Sequence, residues 1–101
     1  MRVLFVCNQN LHRSKLAEEL FKERFETKSA GLYSQRPVSK EQLAWADIIV
    51  VMEDAQRTEI ARRFPEVYLK KRIVSLDIPD RYNYYQPELR ELLEEKVAAL
   101  L

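Results

Sequence analysis

The sequence predicts an α/β fold: a four-stranded parallel sheet in three layers, with helices on both faces. Two observations carry this reading. Four short apolar or β-branched runs alternate along the chain with four stretches of helical periodicity. No repeat, low-complexity tract or linker interrupts them, so residues 1–101 read as a single domain.

The elements follow in order. Arg2 to Val6 is a continuous apolar run, as expected of a strand covered on both faces. From His12 to about Phe25, the positions Leu16, Ala17, Leu20, Phe21 and Phe25 recur at three and four, which predicts a helix with one buried stripe. Thr27 to Ala30 is a brief second strand, stopped by Gly31, the only glycine. Residues 32–38 read as loop. Ser39 with Gln42 forms a capping box for a short helix through Leu43 and Trp45, where Trp45 is a packing residue. Asp47 precedes IIVVM, the clearest buried strand. Asp54 is placed to cap a third helix carrying Ile60, Ala61 and Phe64, which Pro65 ends. Arg72 to Leu76 is the fourth strand. After the polar, aromatic loop DIPDRYNYYQ, Pro87 opens a last helix whose buried face is Leu89, Leu92, Leu93, Val97 and Leu100.

Bulk properties exclude several function classes. The formal net charge is +1, so no global field recruits nucleic acid or an anionic membrane, and neither is expected as a partner. The basic stretch Lys70-Lys71-Arg72, with Arg62 and Arg63 upstream, reads as a solvated face. One cysteine makes an intrachain disulfide impossible. No signal-peptide pattern opens the chain, and no apolar stretch approaches the roughly 20 residues that span a bilayer. The expected compartment is the cytoplasm, where a thiol stays reduced.

In parallel α/β folds ligands collect beyond the carboxyl ends of the strands. The stretch VCNQNLHRS lies there and holds Cys7. A loop feeding a helix N-terminus presents free N–H groups and a partial positive charge, so an anion is its natural guest. Arg13 adds a planar fork matched to two phosphate oxygens. At the other end of the loop, the Cys7 sulfur faces the centre of such an anion, and the same field favours thiolate. A thiolate in line with phosphorus is a nucleophile for phosphoryl transfer. No metal or other cofactor is expected, because Cys7 and His12 alone cannot supply the usual three or four ligands of a zinc site.

The stretch VLFVCNQNLHRS resembles the phosphate-binding loop of the low-molecular-weight protein tyrosine phosphatases, whose pattern runs V-C-x-G-N-x-C-R-S-P. Cys7, Asn10, Arg13 and Ser14 fall on its key positions. In order, KSAGL (28–32) resembles the family's SAG strand end, ADIIVVME (46–53) its D-x-I-x-V-M strand and IPDRY (78–82) its I-x-D-P-Y acid loop. The similarity covers almost the whole chain, apart from a gap between Gly31 and Trp45.

The resemblance implies a fold and a mechanism: a shortened phosphatase that hydrolyses phosphate monoesters, aryl phosphates including phosphotyrosine, through a cysteinyl-phosphate. It assigns Cys7 as nucleophile, Arg13 with the amides of Asn8, Gln9, Asn10, Leu11 and His12 as the phosphate cradle, and Ser14 as hydrogen-bond partner of the sulfur. Asp80 becomes the acid that protonates the leaving oxygen and then the base for water, with Asp77 its rival three residues earlier. Ser29 would support Asn10, and Asn10 itself tolerates the left-handed backbone of a tight loop. Tyr33 and Tyr82 would supply the substrate wall, with Tyr84 and Tyr85 close by. The substrate would be a phosphorylated protein or a small aryl phosphate, and the oligomeric state is open.

Four family positions differ. Gln9 replaces a glycine, His12 the second cysteine, Lys15 the proline after Arg-Ser and Arg81 the proline after the acid. His12 either deepens the positive field when protonated or is an exposed helix-start residue, and the second is the plainer reading. Alternatives to hydrolysis are a phosphate- or phosphopeptide-binding module and a phosphocysteine carrier of the sugar phosphotransferase IIB type. The carrier needs neither the arginine nor the distal aspartate. Arsenate reduction through an intramolecular disulfide relay would require further cysteines.

Overall fold

The computed structural model describes residues 1–101. The chain runs β1 (Arg2–Cys7), α1 (Arg13–Phe21), β2 (Glu26–Gly31), α2 (Lys40–Trp45), β3 (Ile48–Val51), α3 (Asp54–Arg63), α4 (Pro65–Lys70), β4 (Arg72–Ser75) and α5 (Pro87–Leu100). The four strands form one sheet in the order β2-β1-β3-β4, and every pair is parallel. This is the expected three-layer α/β architecture.

Burial explains the strand sequences. β1 and β3 are central, and Val3 to Cys7 and all of Ile48–Val51 are buried, so each reads as an unbroken apolar run. β2 and β4 are edges and tolerate Glu26, Lys28 and Arg72. Alternation along β1 divides the core between two faces. Val3, Phe5 and Cys7 pack with Leu16, Ala17 and Phe21 of α1 and Leu89, Leu93 and Val97 of α5. Leu4 and Val6 pack with Leu43 of α2, Ile60 of α3 and Val67 of α4. The chain leaves β1 for β2 on one side and returns to β3 on the other, so a crevice opens beyond Cys7, where β1 and β3 part company.

Three expectations change. The first helix ends at Phe21 rather than Phe25; residues 22–25 form a turn closed by the Arg24 and Phe25 amides on the Phe21 carbonyl, while Phe25 still packs on the core. Asp54 is the first residue of α3, and the N-cap is Glu53. Pro65 ends α3 but also opens α4, a fifth helix, because its fixed φ and missing N–H suit the first helical position. The Ser39–Gln42 capping box forms as read, with the Gln42 amide donating to Ser39 Oγ at 3.1 Å.

Candidate active site

Cys7 ends β1, and residues 8–12 curl from it into the start of α1. The curl passes through Asn10, whose φ of 58° is left-handed, a conformation asparagine tolerates. This brings the Asn10 amide 3.2 Å from Cys7 Sγ. Ser14 Oγ lies 2.9 Å from the same sulfur and donates to Asn10 Oδ1 at 2.7 Å. Ser14 has one hydroxyl proton for two acceptors, so a thiolate would draw it from Asn10 to sulfur.

Gly31 is required by close approach rather than by φ. It ends β2 opposite Cys7, and a Cβ there would lie 2.9 Å from the Gln9 carbonyl carbon and 3.0 Å from the Asn10 nitrogen. The Leu32 and Tyr33 amides then donate to the Cys7 and Asn8 carbonyls at 3.0 and 2.8 Å. From the other side, the buried Gln56 donates from Nε2 to Asn8 Oδ1 at 3.1 Å, while its Oε1 accepts from the Met52 and Glu53 amides. The loop is therefore clamped between β2 and the start of α3.

Arg13 is 2% exposed, unusual for a charged residue. Its Nη1 donates to Glu53 Oε1 at 2.5 Å and to the Ile78 carbonyl at 2.8 Å, and Nη2 lies 3.7 Å from Asp80 Oδ1. One guanidinium thus spans the end of β3 and the loop after β4. Cys7, Gln9, Leu11, His12, Arg13 and Asp80 line a cavity of about 250 Å³. An adjoining groove shares Leu11 and His12 and continues over Asn10, Lys15, Asn83, Tyr84 and Tyr85. A thiol at the floor, a buried cation beside it and a carboxyl across from it can together hold an oxyanion and exchange a proton with it.

No protein-family model matches the chain, and no curated protein sequence does. Solved structures do. The low-molecular-weight protein tyrosine phosphatase from T. tengcongensis superposes with a TM-score of 0.77 at 23% identity, over 100% of this chain and 99% of the other. Vibrio vulnificus Wzb in complex with benzylphosphonate gives 0.78 at 19% identity, covering 98% and 95%. The YwlE arginine phosphatase from Geobacillus stearothermophilus gives 0.74 at 22% identity, covering 98% and 92%. The chain has the low-molecular-weight phosphatase fold.

Within this phosphatase fold, Cys7, Arg13 and Ser14 come together as their spacing anticipates, with residues 8–12 as the loop between Cys7 and Arg13, and Asp80, which the resemblance assigned, lines the same cavity. Asp77 does not join them: it is exposed, takes φ 58°, and its carbonyl accepts from Lys96. Three expected site residues lie elsewhere. Ser29 does not reach Asn10. It pairs with Phe5, two residues short of Cys7, and there Glu18 of α1 passes over it and accepts its hydroxyl proton at 2.5 Å. Tyr33 lies outside the cavity under the Arg63 guanidinium, 5.0 Å from the ring centre. Tyr82 is half-buried against the core, with Arg81 over its ring. The exposed large apolar or aromatic side chains that do border the cavity and groove are Leu11, 64% exposed, and Tyr85, 88% exposed.

Sequence reasoning missed Glu53, Gln56 and the role of His12. A carboxylate closing the buried run IIVVM next to the cysteine strand is a usable signal for Glu53, since strand ends gather at one edge of the sheet. His12 is neither exposed nor idle: its Nδ1 accepts the Tyr84 amide at 3.0 Å. No group of three His, Cys, Asp or Glu side chains converges as a metal set would. No helix is long and apolar enough to cross a membrane.

Proposed function

We propose that the chain is a cysteine-dependent phosphomonoesterase acting on aryl phosphates, phosphotyrosine among them. The observation that carries this is the cavity floored by Cys7 and bordered by both Arg13 and Asp80. In the first step, Cys7 thiolate attacks phosphorus; the S–P bond forms, the P–O bond to the leaving group breaks, and Asp80 gives its proton to the departing oxygen. Arg13 and the amides of residues 8–13 carry the charge on the three equatorial oxygens, which is the main stabilisation such a transition state needs. Water then attacks phosphorus, gives its proton to Asp80 and releases inorganic phosphate with the free thiolate. Ser14 makes the sulfur a better leaving group by donating to it.

The groove supports an aryl leaving group. The similar structures include enzymes named for arginine and for tyrosine phosphate. A phosphoarginine substrate brings a guanidino group, which seeks a carboxylate, whereas this groove offers Lys15, Leu11 and two tyrosines and no Asp or Glu. A flat ring fits those surfaces better. The protein substrate or small aryl phosphate would present its ring there. A lone thiol nucleophile also works best in a reducing compartment, which favours the cytoplasm.

The test is hydrolysis of p-nitrophenyl phosphate and of phosphotyrosine and phosphoarginine peptides, wild type against Cys7→Ser, under reducing conditions. Cysteine-dependent turnover with phosphotyrosine preferred is the expected result. Turnover retained in Cys7→Ser would sink the mechanism. Absent turnover, with phosphate still protecting Cys7 from alkylation, would mean a phosphate-binding module instead.

A further inference from the structure

We infer that His12 is a positioning residue: its neutral imidazole ties the loop carrying Asp80 to the phosphate loop, and protonation releases that tie. The backbone of His12 is fixed independently, as the N-cap of α1, with its carbonyl accepting the Leu16 amide at 2.9 Å. Its side chain reaches across 72 positions of sequence to the Tyr84 amide. Within residues 79–86 the other backbone N–H bonds close on the loop itself: Arg81 on Pro79, Asn83 on Gln86 Oε1, Tyr85 on Asn83 Oδ1 and Gln86 on Asn83. Further back the segment is anchored at Ile78, by its amide on Met52 and its carbonyl on Arg13. The His12 contact is the hydrogen bond that joins the distal half of the Asp80 loop to the phosphate loop, beside the looser 3.7 Å approach of Asp80 to Arg13 and the packing of Tyr82 and Tyr84 on the core.

An acceptor at Nδ1 must carry a lone pair, so the ring proton of neutral His12 resides on Nε2. Adding a second proton sets N–H against N–H at Tyr84, and the bond is lost. Histidine side chains change charge between about pH 5 and 8, so the tie is sensitive in the working range of most enzymes. The charged and titratable groups around the ring are Arg13 and Lys15 of α1, Cys7 at the end of β1 and Asp80 across the cavity. Tyr84 and Tyr85 face it from the loop, with Glu19 of α1 and Arg90 of α5 beyond them.

The catalytic consequence rests on the proposed hydrolysis; the tie itself does not. The experiment follows the Tyr84 amide by NMR hydrogen exchange in phosphate-free wild type, His12→Asn and His12→Ala from pH 5 to 8, corrected for intrinsic exchange. Asparagine keeps an acceptor near the Nδ1 position but does not titrate. Wild-type protection of Tyr84 is expected to fall about tenfold towards pH 5, in keeping with one neutral hydrogen bond. His12→Asn should show pH-independent protection, and His12→Ala low protection throughout. The pH profile of kcat/KM should lose one acid-side ionisation in His12→Asn. Tyr84 protection that ignores pH in the wild type, or that still follows pH in His12→Asn, overturns the inference, and His12→Asn decides the matter if His12→Ala fails to fold. Tyr84 protection that follows pH in a protein without turnover would leave the tie standing and remove only the hydrolytic reading. Normal turnover with an indifferent Tyr84 would do the reverse.

Discussion

Removing the Glu53 carboxylate should unseat Arg13. The guanidinium is almost fully buried and has three anchors: Glu53 at 2.5 Å, the Ile78 carbonyl at 2.8 Å and Asp80 at 3.7 Å. Stripping one partner from a buried ion pair costs about 3–5 kcal/mol. Glu53 is 35% exposed and Asp80 lies within reach, so solvent and the second carboxylate reduce this to about 2 kcal/mol for Glu53→Ala. For a domain of this size that lowers Tm by roughly 8–16 °C. Glu53→Gln, which keeps an uncharged acceptor, should lose less. Saturating inorganic phosphate supplies the anion that the variant lacks, so it should raise the Tm of Glu53→Ala by more than that of the wild type. Differential scanning fluorimetry with and without phosphate reads both quantities. The reasoning is refuted if Glu53→Ala melts with the wild type, or if phosphate stabilises the two equally.

Other outcomes are equally specific. Asp80→Ala should slow the first chemical step about 100-fold or more, the usual general-acid contribution, while Asp77→Ala stays within about twofold; a reversal in stopped-flow burst rates would move the acid to Asp77. Gly31→Ala places a Cβ 2.9 Å from the Gln9 carbonyl carbon, so the phosphate loop must shift at a cost of about 1–3 kcal/mol. Its phosphate affinity, read by calorimetry, should fall, and an unchanged Kd would mean that the loop gives way freely. Tyr85→Ala should raise KM for aryl phosphates but not for a small alkyl phosphate, and equal effects on both would remove it from the wall. Glu59 is held at about 2 by hydrogen bonds from Arg62 and Arg63. A depressed carboxylate contributes stability above its ordinary value near 4.5 and loses it as pH falls towards about 2. The gap in urea midpoint between wild type and Glu59→Gln should therefore be full at pH 6 and shrink by pH 2; a gap that does not change with pH counts against this ion pair.

What was legible in the sequence is what neighbouring residues decide among themselves. VLFV and IIVV announce central strands because both of their faces are covered, leaving no room for alternation. Cys7, Asn10, Arg13 and Ser14 are one strand end, one curl and one helical turn, so their spacing alone brings sulfur, amide, hydroxyl and guanidinium to one place. The double use of Pro65 was harder to read, since one proline serves as a stop for α3 and a start for α4. Strand register decided the fate of Ser29, which stands one pleat repeat short of the site. Glu53, Gln56 and Tyr84 meet the phosphate loop across 40, 48 and 72 positions. Spacing cannot encode such contacts, because they depend on how β3 and the loop after β4 lie beside β1. The sequence by itself determined the nucleophilic loop and the parallel sheet that carries it. Only the tertiary structure decided what orients Arg13, which aspartate lines the cavity with Cys7 and what holds that aspartate's loop in place, because those contacts exist only once separate strands share one edge of the sheet.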